Sequence, residues 1–313
     1  MSEELDKIRR AEASFWDAKA EHRARNGIIP ETADIRRATR ITPRFSGEET
    51  VDREMTAILD GRLRSRFIDC AAQTPNGRVL DVCCGPGWLA LELGRRGQRV
   101  DAWDISSEAI TIGNRMLEEN PYRNGFGQVT YHLGDVTKAD LGFEIFDAVT
   151  GWSGFHHLPN LPAFMDRIFR ALKPGGIVAT LDDLPRTSVD RWLERFFRML
   201  LPSYDRTYRQ KVRDSFQRIT GVTREPSESF SPMEVVAGKH TDAVRDMEII
   251  WRERFELVWS FRFNSFATNP CMSLRGPDWF RYPIAGAIVG LDRAMCNARI
   301  CHGRLRIMVS RKR

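Results

Sequence analysis

The sequence predicts an α/β fold with a doubly wound, mostly parallel sheet of seven strands, extended by a helical N-terminal preface and a helical insertion. From residue 78 onward, five short β-rich runs alternate with helical stretches, which implies right-handed crossovers between parallel strands. Two more strand-like runs follow at 254–264 and 303–313. A chain of 313 residues with 42% apolar residues suits one enlarged domain with a sizeable core.

Residues 1–70 are predicted to form a helical N-terminal cap. Apolar residues such as Leu5, Ile8 and Phe15 recur at helical spacing among charged ones. The stretches GIIPETAD and TPRFSG interrupt this period. Phe15, Trp16 and the arginines up to Arg44 are candidates to close over a ligand, although only their position in the chain supports this.

The central domain is predicted over 71–183, where strands and helices alternate. Its strand-like runs are RVLDV, RVDAWDI, VTYHLGD, FDAVTGWSG and GIVATLDD. In a parallel sheet of this kind, ligands bind beyond the carboxyl ends of the strands. The residues that end these runs are therefore the first candidates for a site.

After Asp183 the alternation stops. Residues 184–250 are predicted to be a helical insertion that shapes an acceptor site, and residues 251–313 to complete the sheet with a helix and an antiparallel last strand. Aromatic residues of the insertion either wall a pocket or, as is usual at helical spacing, belong to the core. They are Trp192, Phe196, Phe197 and Tyr204.

Charge and hydropathy limit the class of protein. The net charge of +6 permits an anionic partner but does not require one. The longest apolar run, IAGAIVGL, is far shorter than the roughly 20 residues of a membrane-spanning helix. The first residues contain no apolar signal region, so we expect a cytoplasmic, reducing location.

The six cysteines are predicted to be buried thiols, because their spacing is irregular and the adjacent Cys83 and Cys84 pair poorly. The segment CNARICH contains Cys296, Cys301 and His302, but it lacks the paired short spacing of zinc sites. We therefore predict no metal.

The segment VLDVCCGPGWLA reads as a strand, a glycine turn and a helix. Gly85 and Gly87 permit backbone conformations and close ligand approach that a side chain would block. Dinucleotide sites share this pattern. However, Pro86 and Trp88 fit poorly in a turn that cradles phosphates, and Asp81 would repel a pyrophosphate while it could hold an ammonium group. A nicotinamide or flavin cofactor is therefore disfavoured.

The ordered segments VLDVCCGPG, VDAWDIS, LGDV, FDAVTGWSGFHHL and LKPGGIVATLDD, between Gly77 and Asp183, resemble the class I S-adenosylmethionine-dependent methyltransferases. The resemblance implies a Rossmann-like core, S-adenosyl-L-methionine as cofactor and S-adenosyl-L-homocysteine as product. The sequence departs from the family at Cys83, where many members have glycine. The backbone of the turn should therefore have less conformational freedom here than in those members.

The resemblance implies a donor site at the strand ends. Asp81 and the turn around Cys83, Gly85 and Gly87 would receive the methionine part of the donor. Asp104 would accept hydrogen bonds from both ribose hydroxyls, because an ionised carboxylate offers two acceptor oxygens. The remaining expected contacts are Ile105 over the adenine face, Asp135 at the adenine amino group, Val136 beside it, and Trp152 near the donor. Each of these aspartates could instead cap the helix that follows it.

Three residues are candidates for work on the acceptor, namely His156, His157 and Asp182. Methyl transfer is an in-line displacement, and alignment of the reactants can supply about 7–11 kcal/mol of barrier reduction. A base is needed only for a hydroxyl or an acidic carbon, and histidine suits that role near neutral pH. Either histidine could instead seat the next helix, and Asp182 or Asp183 could cap the following turn.

The leading hypothesis is methylation of a small molecule, such as a sugar, a lipid-linked saccharide or a natural-product intermediate, with oxygen favoured over nitrogen or carbon. Large helical additions suit the enclosure of a compact acceptor. One alternative is a nucleic-acid (RNA) methyltransferase, although the sequence lacks an Asn-Pro-Pro-aromatic segment after the fourth strand and a recognisable RNA-binding module. Another is a non-catalytic protein that binds the cofactor or a partner. The sequence leaves the oligomeric state open.

Overall fold

The computed structural model describes residues 2–25, 52–184, 186–219, 231–232 and 249–313. A seven-stranded sheet in the order β3-β2-β1-β4-β5-β7-β6 forms its centre. The strands are β1 (Arg78–Val82), β2 (Arg99–Asp104), β3 (Gln128–Leu133), β4 (Phe146–Trp152), β5 (Leu172–Asp183), β6 (Phe255–Phe263) and β7 (Leu305–Lys312). β7 is antiparallel to both β5 and β6, and the other strands share one direction. This confirms the predicted fold class.

Helices lie on both sides of the sheet. They are α1 (Ser2–Arg25), α2 (Arg53–Thr56), α3 (Arg62–Ala71), α4 (Trp88–Arg95), α5 (Ser107–Glu118), α6 (Leu161–Ala171), α7 (Ser188–Leu200), α8 (Tyr208–Ile219), α9 (Thr268–Met272) and α10 (Asp278–Asn297). A π-helical turn, Ala57–Gly61, joins α2 to α3, and a 3₁₀ turn, Phe155–His157, follows β4. Among the described residues, no helix combines the length and the apolar character needed to cross a bilayer.

The sheet separates two apolar cores because successive strand residues point to opposite faces. Val79 of β1 packs with Phe67 and Leu89 on the face covered by α3 and α4. Leu80, its neighbour, packs with Phe164 and other residues on the face covered by α6. β1 is buried on both faces, as expected for a central parallel strand.

The C-terminal helices form a third core. Leu193 and Phe197 of α7 pack against this cluster, and the Phe197 ring stacks on Phe266 with centroids 5.1 Å apart. Buried free thiols also belong to it, at Cys271, Cys296 and Cys301. Of the other three cysteines, Cys84 is buried while Cys70 and Cys83 are half-buried. The prediction of buried thiols therefore holds for four of the six.

A buried ion pair ties the N-terminal part of the chain to α10. Arg281 Nη2 lies 2.6 Å from Asp52 Oδ2, and both side chains are almost fully buried. The other Asp52 oxygen accepts a hydrogen bond from the Met55 backbone N–H, at 2.9 Å, and so caps α2. This pair therefore joins the start of α2 to α10.

We predict that Arg281→Met destabilises the protein by about 3–5 kcal/mol, because it leaves the Asp52 carboxylate buried without its cation. Urea unfolding of the variant and the wild type measures this difference. Arg254→Met is the matched control, since Arg254 pairs with the exposed Asp166 and should cost no more than about 1 kcal/mol. Equal losses in both variants would contradict the prediction.

Candidate functional site

A pocket of about 540 Å³ opens at the carboxyl ends of β1, β2 and β4 and beside the segment after β3. This is where an open parallel sheet places ligands. Helix α1 crosses one side of the pocket. The predicted site residues on its wall are Cys83, Gly85, Asp104, Ile105, Asp135, Val136, Trp152 and His157.

The turn after β1 needs its two glycines for different reasons. Both have left-handed backbones, with φ of 53° at Gly85 and 85° at Gly87. A Cβ at Gly87 would overlap the Tyr131 hydroxyl, so this glycine serves packing and does not line the pocket. A Cβ at Gly85 would meet no atom within 4 Å. Gly85 therefore borders open space that a ligand can enter.

Cys83 adopts the backbone conformation that glycine prefers. Its φ is 55°, and a Cβ on the neighbouring Gly154 would come within 2.5 Å of the Cys83 Cβ. A non-glycine residue in this region costs of order 1–3 kcal/mol. The expectation that the turn is less free than in proteins with glycine here therefore has a structural basis. Burial raises the pKa of the Cys83 thiol, which stays neutral.

Asp104 joins the turn to the end of β2. Its Oδ2 accepts from the Gly85 backbone N–H at 2.8 Å, and its Oδ1 accepts from the Ser106 N–H at 2.9 Å. Burial raises the pKa of Asp104, and these two backbone donors oppose that rise. Each carboxylate oxygen can accept a second hydrogen bond. The side chain can therefore hold both the turn and two ligand hydroxyls.

Asp81 lies in β1 behind the turn, and it is not on the pocket wall. Thr150 Oγ1 donates to its Oδ1 at 2.8 Å. Its buried Oδ2 has no hydrogen-bond partner among the described residues. Burial raises the pKa of Asp81 to about 7, against the Thr150 hydrogen bond and with a further contribution from Asp104. An unpaired carboxylate oxygen beneath the turn fits a cationic ligand above it.

Both carboxylate oxygens of Asp135 already have partners within the protein, which the sequence does not predict. Its Oδ1 accepts from the backbone N–H and the hydroxyl of Thr137, at 2.9 and 2.6 Å. Its Oδ2 lies 2.8 Å from Arg9 Nε of helix α1. An adenine amino group at this position would share the carboxylate with Arg9. Val136 is buried and forms an apolar part of the wall.

Of the three candidate catalytic residues, His156 and Asp182 pair with each other, and His157 pairs with a residue of α1. His156 and Asp182 form a buried pair, with Nδ1 3.0 Å from Oδ1, and neither side chain lines the pocket. Burial raises the pKa of Asp182, and the His156 hydrogen bond opposes that rise. His157 does line the pocket, and its Nδ1 lies 3.1 Å from Glu12 Oε1 of α1. The structure thus brings only His157 to the cavity.

Helix α1 supplies a whole side of the pocket. Asp17 fixes it to the start of α5, where its Oδ1 accepts from Ser106 Oγ at 2.7 Å and from the Glu108 N–H at 3.0 Å. The α1 residues on the wall are Arg9, Glu12, Trp16, Ala20 and Arg23. Trp16 is thus on the wall, while Phe15 is not. The arginines of 36–44 lie outside the described residues.

Another part of the pocket wall joins the predicted Trp152 to residues that the sequence analysis did not assign to the site. The Arg64 guanidinium carbon lies 4.9 Å from the Trp88 ring centroid and 5.2 Å from that of Trp152. The two indole rings meet edge to face, with centroids 4.9 Å apart. Thr56 and Met272 also line the pocket. No local motif marks Arg64, Thr56 or Met272, because only the fold brings them to the wall.

The aromatic residues of α7 and its following loop do not line this pocket. Trp192, Phe196 and Tyr204 are exposed, and Phe197 lies in the third core. None of the described residues of 184–219 is on the wall. In the described ranges, no group of three histidine, cysteine or acidic residues is arranged to hold a metal ion.

Comparison with known proteins relates the central part of the chain to methyltransferases. Residues 79–176 match a family model described as a methyltransferase domain. A demethylmenaquinone methyltransferase of Desulfitobacterium hafniense (strain Y51) is 29% identical over 168 residues, which are 51% of this chain and 64% of that protein. A ubiquinone biosynthesis O-methyltransferase of Alkalilimnicola ehrlichii is 31% identical over 155 residues, 47% of this chain and 61% of that protein. The matches thus span less than two thirds of these relatives.

Among solved structures, the geranyl diphosphate C-methyltransferase from Streptomyces coelicolor A3(2) covers 98% of both chains with a TM-score of 0.52. That structure contains Mg²⁺, geranyl-S-thiolodiphosphate and S-adenosyl-L-homocysteine. At 15% sequence identity the likeness is one of fold. It confirms the Rossmann-like architecture that the sequence predicts.

The raised pKa of Asp81 predicts a pH-dependent stability. Its carboxyl titrates near pH 7 in the folded protein, against an ordinary value of 3.8. Between these values the folded state binds more protons than the unfolded chain, so this group lowers stability as the pH rises. We expect the stability of Asp81→Asn, relative to wild type, to increase from about pH 4 to pH 7 by on the order of 4 kcal/mol.

Urea unfolding of both proteins at several pH values within this range measures the trend. Other buried carboxyls, such as Asp104 and Asp182, are present in both proteins and largely cancel in the difference. Asp101→Asn is the control, because Asp101 is only half-buried and pairs with Arg78 outside the pocket. A stability difference for Asp81→Asn that does not change with pH would contradict the prediction.

Proposed function

Residues 79–176 form a class I S-adenosylmethionine-dependent methyltransferase domain, and we propose that the chain uses it to methylate a small-molecule acceptor. The observation that carries this proposal is the position of Asp104. Its carboxylate accepts a hydrogen bond from Gly85 in the glycine turn after β1, and it also lines the pocket. A turn fixed in this way, with Gly85 facing open space, supports binding of a nucleoside-like donor.

The residues present fit this donor chemically. The carboxylate of Asp104 would accept from the ribose hydroxyls, and Ile105 and Val136 would cover the adenine with apolar surface. The unpaired oxygen of Asp81 would accept from the ammonium group of the methionine end, and that cation would favour the ionised carboxylate. Asp135 would meet the adenine amino group together with Arg9.

When bound, S-adenosylmethionine supplies an electrophilic methyl group on a positively charged sulfur. The chain's residues align the acceptor and keep water out, and both tasks favour an enclosed pocket. Trp16 and Trp152 form large apolar parts of the wall. His157 would take the proton of an acceptor hydroxyl. The buried pair of His156 and Asp182 would support His157 from behind the wall.

The acceptor is best accounted for as a hydroxylated ring. Trp88 and Trp152 provide flat apolar surfaces, and the Arg64 guanidinium beside them can stabilise a ring oxygen that becomes negative. Removal of the hydroxyl proton makes both that oxygen and the adjacent ring carbon nucleophilic. The names of the relatives include both C- and O-methyltransferases of quinone biosynthesis. The preference for oxygen therefore stays a prediction.

Donor binding is the first test. S-adenosyl-L-homocysteine at about 100 times its Kd should raise the stability by about 2.7 kcal/mol, seen as a higher Tm, whereas NAD should have no effect. Asp104→Ala should abolish the rise. Asp101→Ala, on the same strand but away from the pocket, should retain it. Stabilisation by NAD alone would exclude the proposed donor.

Removal of the acceptor base is the second test. His157→Gln should lower the rate of methyl transfer to a hydroxylated aromatic acceptor by about 10²- to 10⁴-fold, because this is the usual contribution of a general base. Formation of S-adenosyl-L-homocysteine with a panel of phenols and quinols measures the rate, and calorimetry should give an unchanged donor Kd.

His132→Gln is the control for this substitution, because His132 lies in β3, pairs with Asp101 and is not on the pocket wall. A rate for His157→Gln equal to that of His132→Gln would exclude His157 as the base.

A further inference from the structure

Helix α1 brings a buried carboxylate to the one candidate base that lines the pocket. Glu12 is only 3% exposed, which is unusual for a charged side chain. Its Oε1 lies 3.1 Å from His157 Nδ1, across the pocket wall from the 3₁₀ turn after β4. The sequence gives no sign of this contact, because the two residues belong to distant parts of the chain.

The contact selects one tautomer of the imidazole. A carboxylate oxygen at hydrogen-bond distance repels the lone pair of an unprotonated ring nitrogen and attracts an N–H. Nδ1 of His157 therefore carries the hydrogen, and in the neutral ring Nε2 is then the nitrogen that can take a proton. Ser231 Oγ, 3.2 Å from the same Nδ1, can share this hydrogen.

The carboxylate and the ring are held on several sides. Trp16 Nε1 donates to the same Glu12 oxygen at 2.7 Å. The Trp16 indole meets the His157 ring edge to face, with centroids 5.2 Å apart. The centroid of the His156 ring lies 4.1 Å from that of His157, and His156 is itself paired with Asp182. The orientation of His157 is thus fixed by residues of α1, the 3₁₀ turn and β5.

We propose that Glu12 is a positioning residue, which holds His157 in the tautomer that accepts a proton at Nε2. The inference rests on the proposed function, since it gives His157 the role of base. In the reaction, the proton of the acceptor hydroxyl moves to Nε2 while Nδ1 keeps its hydrogen bond to Glu12. The carboxylate stabilises the imidazolium that results and does not itself take the proton.

The base is consequently assembled only when α1 lies on the core. Asp17 fixes α1 at the start of α5, and Arg9 fixes it at Asp135 beside the adenine position. Asp135 is a predicted donor-site residue, and Ser106, from which Asp17 also accepts a hydrogen bond, lines the pocket. Closure over the donor and orientation of the acceptor base therefore depend on the same helix.

The test compares Glu12→Gln with the wild type. Glutamine keeps the shape and can still accept from Trp16, so packing is retained while the charge is lost. We expect kcat to fall at least about 10-fold, in the direction of the roughly 10⁴-fold loss known for the orienting aspartate of the serine protease triad. The acceptor KM and the Kd of S-adenosyl-L-homocysteine should not change. Glu4→Gln, an exposed change on the same helix, should leave kcat unaltered.

A spectroscopic measurement separates this role from a structural one. In ¹⁵N NMR of the wild type, the His157 signals should report a protonated Nδ1, and Glu12→Gln should shift them towards the other tautomer. Unchanged signals, or a shifted tautomer with unaltered kcat, would overturn the role of Glu12. If the wild type bound no donor and transferred no methyl group, the proposed function would fail instead. The NMR comparison would still decide whether Glu12 sets the tautomer.

Discussion

The pocket depends on one carboxylate that holds two strands' ends together. Asp104 ends β2, and its two oxygens accept from the backbone of Gly85 in the turn after β1 and of Ser106 before α5. Two helices therefore start from positions that a single side chain fixes. Burial disfavours the charge of this carboxylate and raises its pKa, and these backbone donors oppose that rise. The same side chain thus fixes the turn and lines the pocket.

A second layer of polar contacts closes the site from the N-terminal side. Asp17 receives hydrogen bonds from the start of α5, which Asp104 has already positioned. Glu12 and Arg9 reach His157 and Asp135 from the same helix. Buried polar groups need partners, so these contacts favour one placement of α1 over others. Polar contacts of α1, as well as apolar packing, therefore enclose the pocket.

Two half-buried tryptophans, Trp88 and Trp152, give part of the pocket wall an aromatic surface. Trp88 follows the glycine turn directly, and in the sequence its bulk argues against a turn that cradles phosphates. In the folded chain that indole meets Trp152 from the end of β4 and the guanidinium of Arg64. The residue whose bulk disfavours a dinucleotide site thus forms part of the pocket wall.

The sequence by itself determined the fold class and the strand ends that line the pocket, because strand periodicity and the glycine turn are local. It therefore brought Asp104 and His157 forward as candidates, while their roles remain predictions. Only the tertiary structure decided that His156 lies behind the wall and that Glu12 reaches His157. Such contacts join residues distant in the chain, and no local spacing encodes which faces of a helix and a turn will meet. The physical reason is that burial and pairing are settled by packing.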